Sequence, residues 1–365
     1  MAVIMAGGSG ERFWPLSRRS RPKQLLRLGS GNNSLLDQAI QNIATLIPRE
    51  RIFLATGNYI AGKVREAESD IPSENILVEP SKKNTAGCLV YAAANLLARY
   101  GGDGSNIVMA ALPADHNILD TDRYLELAHA AFETAERENA LVTFGIKPDR
   151  AETGYGYLEF DAEPAGPSPA HGIAAYKVAK FHEKPDDESA EKYLASGRHF
   201  WNSGMFFWRV STFLEELALA SPGMETVVRK LAEKIAAGDD DSACAAFNTL
   251  DSISIDYALM EKSQNVLAIR ADFGWDDVGA WDSLDRTFPR DGRGNVVIGD
   301  PVIIDSDNTI VYNEPGLDSI AVGVLGVKDL VVIVTKDGVL VAPKDRAQEV
   351  RKVVDELKRR DESHL

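Results

Sequence analysis

Apolar runs of strand length alternate with helix-length stretches from the N-terminus to Phe144. The runs fall at residues 2–6, 52–55, 76–78, 107–112 and 141–144. Between them, Leu36, Ile40, Ile43 and Ile47 keep helical spacing behind the cap candidates Asn33 and Ser34, and residues 84–100 and 121–138 are also predicted to be helical. A helix between two strands carries the chain back across the sheet, which a parallel pair requires. The expected fold is therefore α/β, a Rossmann-like mixed, mainly parallel sheet with helices on both faces. Ligands of such sheets sit outside the carboxyl ends of the strands.

The order changes after Gly154. Gly154-Tyr155-Gly156-Tyr157-Leu158 leads into a Pro/Gly/Ala-rich segment, 162–172, expected as a hairpin or mobile loop. Strands predicted at 176–181 and 205–210 flank a helix near 188–196, and residues 221–250 read as helical. Beyond Arg290-Asp291-Gly292-Arg293-Gly294 come short β segments at 296–298, 302–304, 309–312, 320–322, 330–334 and 339–341, then a charged helix at 346–360. Evenly spaced short strands suit the coils of a β-solenoid. The division expected is a catalytic domain over 1–290 and a small β-rich, β-helix-like domain over 291–365 that ends in a helix. The second part carries few clustered catalytic side chains, so its expected role is assembly, as a homodimer.

The net charge of −15 over 365 residues disfavours sequence-independent nucleic-acid binding and an anionic membrane surface. An anionic ligand would need a local basic pocket. Cys88 and Cys244 are the only cysteines, both in apolar helix-like runs, which argues against a disulfide framework and fits a reducing cytoplasm. No long apolar run and no basic-then-apolar leader occurs, so a soluble, unprocessed cytoplasmic chain is expected.

A basic pocket is visible at once. The first strand runs into Gly7-Gly8-Ser9-Gly10-Glu11-Arg12-Phe13-Trp14-Pro15, with Pro22-Lys23 shortly after. Clustered glycines bring backbone N–H groups close to a ligand, and Arg12 and Lys23 give that ligand a negative sign. The loop lacks the Gly-Lys-Ser/Thr of a Walker A motif, and Phe13 stands where the dinucleotide fingerprint needs its third glycine. Leu112-Pro113-Ala114-Asp115-His116 places Asp115 just past the most apolar strand, as a natural magnesium ligand opposite phosphates. Gly274-Trp275-Asp276-Asp277-Val278-Gly279 offers two more carboxylates. Glu183 and Asn202, at the ends of strand-like runs, can exchange hydrogen bonds with sugar hydroxyls. Glu79, with Asn84 and Thr85, offers a carboxylate and an amide near the glycine loop; a carboxylate or a backbone carbonyl can accept the adjacent N1–H and N2–H₂ donors of guanine, and helix N-capping is the competing use of Asn84 and Thr85. The six histidines show no metal-ligand spacing, and Ser9 and Ser17 have no evident His/Asp partners.

In this order the motifs resemble the sugar-phosphate nucleotidyltransferases, and within them the mannose-1-phosphate guanylyltransferase branch. The resemblance runs through Gly7–Ser17, Pro22-Lys23-Gln24, Glu79-Pro80, Asn84-Thr85-Ala86, Pro113-Ala114-Asp115-His116 and Phe144-Gly145-Ile146. It continues through Glu152-Thr153-Gly154-Tyr155-Gly156-Tyr157, Phe181-His182-Glu183-Lys184-Pro185, Trp201-Asn202-Ser203-Gly204-Met205-Phe206, Ser254-Ile255-Asp256-Tyr257 and Gly274–Gly279. The β tail is similar to the short β-helical appendage of single-function members.

The resemblance implies that GTP and α-D-mannose 1-phosphate give GDP-mannose and pyrophosphate, with Mg2+ or a similar divalent cation. It implies catalytic roles for Arg12, Lys23, Asp115 and Asp277, and metal binding by Asp115 and Asp277, with Asp276 as the fallback ligand. Nucleotide contacts fall on Ala6, Gly7, Gly8, Ser9, Gly10, Glu79, Asn84, Thr85 and Asp115. Sugar-phosphate contacts fall on Gly154, Tyr155, Glu183, Lys184, Asn202 and Asp256. The rival readings are a nucleotidyltransferase for another sugar 1-phosphate, a non-catalytic regulatory subunit that binds nucleotide sugar, and a nicotinamide oxidoreductase. The missing third glycine disfavours the last.

Overall fold

The computed structural model describes residues 1–8, 10–29, 33–66, 71–165, 172–317 and 320–360. Ser9 and most of the Pro/Gly/Ala-rich segment expected as a hairpin or mobile loop, residues 166–171, lie outside the described residues. The chain divides into two compact units. Unit 1 comprises Met1–Gly7, Ala39–Ala114 and Asp120–Gly274, and unit 2 comprises Gly8–Gln38, Asp115–Leu119 and Trp275–Leu365.

Unit 1 is built on nine strands: β1 (Ala2–Ala6), β2 (Ile52–Gly57), β3 (Ile76–Glu79), β4 (Val108–Pro113), β5 (Leu141–Ile146), β6 (Tyr157–Pro164), β7 (Ala175–His182), β8 (His199–Arg209) and β9 (Val266–Ala271). They form one sheet in the order β3-β2-β1-β4-β8-β5-β9-β7-β6, and β6 also pairs with the start of β8. β3, β2, β1 and β4 are parallel, as the strand–helix alternation predicts. β8 is inserted antiparallel between β4 and β5, and it begins at His199, six positions before the expected 205. Trp201-Asn202-Ser203-Gly204-Met205 therefore lies inside a strand and not before one. Its alternate residues Trp201, Ser203 and Met205 are buried, which holds the extended backbone in the sheet.

Both faces of the sheet are covered. On β8, Phe206 and Trp208 join the core that includes the Ala-rich helix Asn84–Tyr100, and Trp208 stacks on Phe213 with centroids 5.0 Å apart. Phe207, one residue out of phase, meets Phe132 of the helix Thr121–Glu138 at 5.2 Å. The alternation of strand side chains thus sends neighbouring aromatics to opposite helix layers.

Unit 2 carries the short strands β10 (Val296–Ile298), β11 (Val302–Ile304), β12 (Ile310–Asn313), β13 (Gly323–Leu325), β14 (Leu330–Thr335) and β15 (Gly338–Pro343). β10, β12 and β14 stack in parallel register, as do β11 and β13, which is the rung pattern of a solenoid. β13 begins three residues after the strand expected at 320–322. Asp305, Asn308 and Asp329 take left-handed backbone angles at the corners, where short polar side chains are best tolerated. β15 turns back antiparallel on β14, and the helix Val350–Arg359 follows. These rungs share one core with the glycine-loop segment: Phe13, Trp14, Leu16, Val278 and Trp281 cluster with Val296, Ile310, Val331, Leu340 and Val354. Trp281 Nε1 donates to the Trp14 carbonyl at 3.0 Å, Lys358 pairs with Glu11 at 2.8 Å, and Arg18 pairs with Asp337 at 2.6 Å.

Candidate active site

In unit 2, three separated segments meet at Lys23. Its side chain is buried. The ammonium lies 2.6 Å from Asp115 Oδ2 and donates to the Asp277 carbonyl at 3.0 Å. Gly10, at φ 60°, is what lets the loop pass this close: a Cβ there would lie 2.5 Å from both Lys23 Cβ and Ser17 Oγ. Burial alone would raise the Asp115 pKa, but the Lys23 and His116 charges and hydrogen bonding outweigh it and hold the carboxyl below its usual range. His116 accepts a hydrogen bond at Nδ1 from Trp275 Nε1 at 3.1 Å, and burial lowers its pKa against the pull of Asp115 and Asp277.

The adjacent carboxylates divide their work. Asp276 is buried, accepts from Val278 N at 2.7 Å and takes the Arg286 guanidinium, so its oxygens are committed to shaping the turn. Asp277 packs beside Gly279, where a Cβ would come within 2.8 Å of its Oδ2. Val278 adopts φ 46°, a costly angle for a β-branched residue, and the turn is held in it by Asp276. Arg12 sits half-buried in the short helix Glu11–Phe13 and forms no ion pair among the described residues.

In unit 1, Glu183, Lys184, Asn202 and Asp256 form one network. Lys184 Nζ lies 2.8 Å from Glu183 Oε1, and Asn202 Nδ2 donates to Asp256 Oδ1 at 3.1 Å. Asn202 Oδ1 in turn accepts from Gly204 N at 3.2 Å and from Thr143 Oγ1 at 3.3 Å. Gly156 makes room for Glu183, because a Cβ there would meet Glu183 Oε2 at 2.6 Å. Asp256 opens a π-helical turn, Asp256–Met260, a local irregularity that often marks functional sites. Shielding from water, with the Glu183 charge, pushes its pKa up to about 6.

Gly154 N donates to Glu152 Oε1 at 3.0 Å, and Tyr155 packs edge-on to Trp201 at 5.2 Å. Arg150, which the sequence reading missed, lies over the Trp201 ring at 4.8 Å and pairs with Glu152 at 3.3 Å. Its sequence signal was weak: a charged loop residue two positions before the quoted Glu152 motif. Elsewhere in unit 1, Ala6 accepts from Thr56 Oγ1 at 2.7 Å at the end of β1. Burial pushes the Glu79 pKa up to about 7, with the Cys88 thiol opposing it. Asn84 Oδ1 accepts from Thr85 N at 2.8 Å, while Thr85 Oγ1 accepts from Ile255 N at 2.8 Å.

A nucleotidyl transferase family model matches residues 1–292, and a mannose-phosphate isomerase/GMP-like β-helix model matches residues 299–357. The mannose-1-phosphate guanylyltransferase of Escherichia coli K12 is 38% identical over 98% of this chain and 73% of its own length. The chain belongs to the mannose-1-phosphate guanylyltransferases. The alginate biosynthesis protein AlgA of Pseudomonas aeruginosa is 37% identical over 97% of this chain and 71% of its own length. A Thermus thermophilus crystal structure, described as a mannose-1-phosphate geranyltransferase, superposes with a TM-score of 0.85 at 35% identity and covers 98% of both chains.

Proposed function

We propose that this guanylyltransferase moves GMP from GTP to α-D-mannose 1-phosphate, forming GDP-mannose and releasing pyrophosphate. The observation that carries the reading is the buried Lys23 ammonium, held by the Asp115 carboxylate and the Asp277 carbonyl beside the glycine loop. A phosphate monoester, with a second pKa of about 6, is already a dianion near neutral pH, so no general base is needed. A sugar-phosphate oxygen forms the new bond to the α-phosphorus of GTP as the bond to the β-phosphate oxygen breaks, and the electron pair leaves with pyrophosphate. Positioning and charge stabilisation are what the protein must supply.

Arg12, Gly7, Gly8, Ser9 and Gly10 would hold the triphosphate, and Lys23 would neutralise the transferring phosphoryl. Glu79 would accept from guanine once ionised, with Asn84 and Thr85 contributing polar atoms. Glu183, Asn202 and Asp256 would read mannose hydroxyls, Lys184 would meet the sugar phosphate, and Gly154 and Tyr155 would border the sugar. The hard oxygen donors of Asp115 and Asp277 fit Mg2+, with Asp276 as the fallback ligand; at Lys23 the Asp115 carboxylate and the Asp277 main-chain carbonyl already meet a cation. When bound, the ion would supply charge neutralisation for the phosphates. We extend the reading to a cytoplasmic homodimer, with 1–290 as the catalytic segment and 291–365 for assembly. The exposed Val302, Ile304, Leu325, Val339 and Val341 of the tail support an assembly role.

Pyrophosphate release measured with mannose and glucose 1-phosphates against GTP, ATP, UTP and dTTP tests the reading. Turnover should be greatest with GTP and mannose 1-phosphate. Preference for another pair would reassign the substrate, and no turnover with any pair would favour a regulatory protein.

A further inference from the structure

Three strands of unit 1 carry a side-chain cluster that the transfer reaction does not use. β6 lies between β7 and the first residues of β8, with Glu159 paired to His199 and Tyr157 paired to His182. Residues two apart on a strand share a face, so Glu159 and both imidazoles project to the same side. The Nε2 atoms of His182 and His199 lie 3.9 and 4.0 Å from Glu159 Oε2. One ligand atom of each residue falls within 4.8 Å of the other two.

His199 Nδ1 is hydrogen-bonded to the Ser196 hydroxyl at 2.7 Å, which turns its Nε2 toward the Glu159 carboxylate, although the side chain is only 8% exposed. His182 Nδ1 is bonded to the Tyr193 hydroxyl at 3.1 Å, and its Nε2 is buried with no hydrogen-bond partner among the described residues. Arg198 meets the other carboxylate oxygen, Oε1, at 3.2 Å and leaves Oε2 to the two imidazoles.

We propose that Glu159, His182 and His199 form a transition-metal site of the two-imidazole, one-carboxylate kind that suits Zn2+, with water in the fourth position. Ser196 and Tyr193 take the outer nitrogens, as ligating histidines require. Tetrahedral bonding would bring the ligand atoms to roughly 3.3 Å from one another, a closure of about 0.6–0.7 Å for each imidazole–carboxylate pair. The metal would tie β6, β7 and β8 together.

The test uses the full chain, stripped with a chelator and titrated with Zn2+ alone against a chromophoric competitor, with bound metal counted by mass spectrometry. One Zn2+ per chain is expected, and it should persist in an Asp115→Ala/Asp277→Ala background, which separates this site from the phosphate-linked carboxylates. Co2+ should give the intense visible absorption of a tetrahedral ion. His199→Ala and the shape-conserving Glu159→Gln should abolish binding, and Ser196→Ala should weaken it about 10–100-fold. No stoichiometric Zn2+ in the parent chain would overturn the proposal. So would parent-like affinity in Glu159→Gln, which keeps the test decisive if His199→Ala fails to fold.

Discussion

Unit 1 and unit 2 each gather acidic residues around one lysine, yet they set those acids in opposite ways. In unit 2, the Lys23 ammonium, with hydrogen bonding, outweighs burial and holds the Asp115 carboxyl below its usual range. In unit 1, shielding and the Glu183 charge outweigh Lys184 and push Asp256 up to about 6. A carboxylate kept ionised beside a fixed cation suits a metal ion and phosphate oxygens. A crowded carboxyl that protonates easily can both donate and accept, which suits sugar hydroxyls. The same side chain therefore serves two chemistries according to its neighbours.

Removing the cation of unit 2 should do the most damage. Lys23→Ala should lower pyrophosphate release about 10³–10⁵-fold, the range for a cation that stabilises charge in phosphoryl transfer, while far-ultraviolet circular dichroism stays unchanged. Parent-like turnover would dissolve the contrast between the units. Next comes the frame beneath the loop. Trp281 is fully buried, packs edge-on to Phe13 at 5.1 Å and bonds the Trp14 carbonyl. Trp281→Ala should cost about 3–5 kcal/mol in denaturant unfolding. A loss under about 1 kcal/mol would show that the glycine loop and the solenoid are not held by this core.

A change in unit 1 should act on one substrate only. Glu183→Ala should raise KM for mannose 1-phosphate about 10–100-fold, as expected for a lost hydrogen bond to a charged group, and leave KM for GTP near its starting value. Equal effects on both substrates would remove Glu183 from sugar reading.

What the sequence disclosed, and what it hid, follows from the range of the interactions. The helices Asn84–Tyr100 and Thr121–Glu138 and the strands of the parallel half were legible because caps, periodicity and apolar runs act over a few residues. β9 was missed because Val266–Ala271 takes its partner from Leu141–Ile146, far away in the chain, and its six residues alone set no strand period. The insertion of β8 between β4 and β5 is equally long-range. The site motifs could be named from their residue types, but Asp276 and Asp277 are equivalent as letters. In the structure Arg286 and the Val278 amide engage Asp276, a contact that no letter of the motif announces. The partnership of the tail with Phe13 and Trp14 was likewise hidden, although two adjacent aromatics beside a glycine loop already needed a core to enter.

The last expected effect is the one most specific to unit 1. The Asp256 pKa is raised in the folded chain, from 3.8 to about 6, so the stability linked to its neutral form is complete below about pH 4 and is lost as the pH rises through about 6. Asp256→Asn cannot ionise and still offers Asn202 an oxygen to donate to. Measured against the parent, its stability should therefore improve between about pH 4 and pH 7 and level off above, by about 3 kcal/mol in chemical unfolding. A difference that stays flat over that interval would mean that Asp256 ionises as it does in water, and that the two units do not set their acids apart.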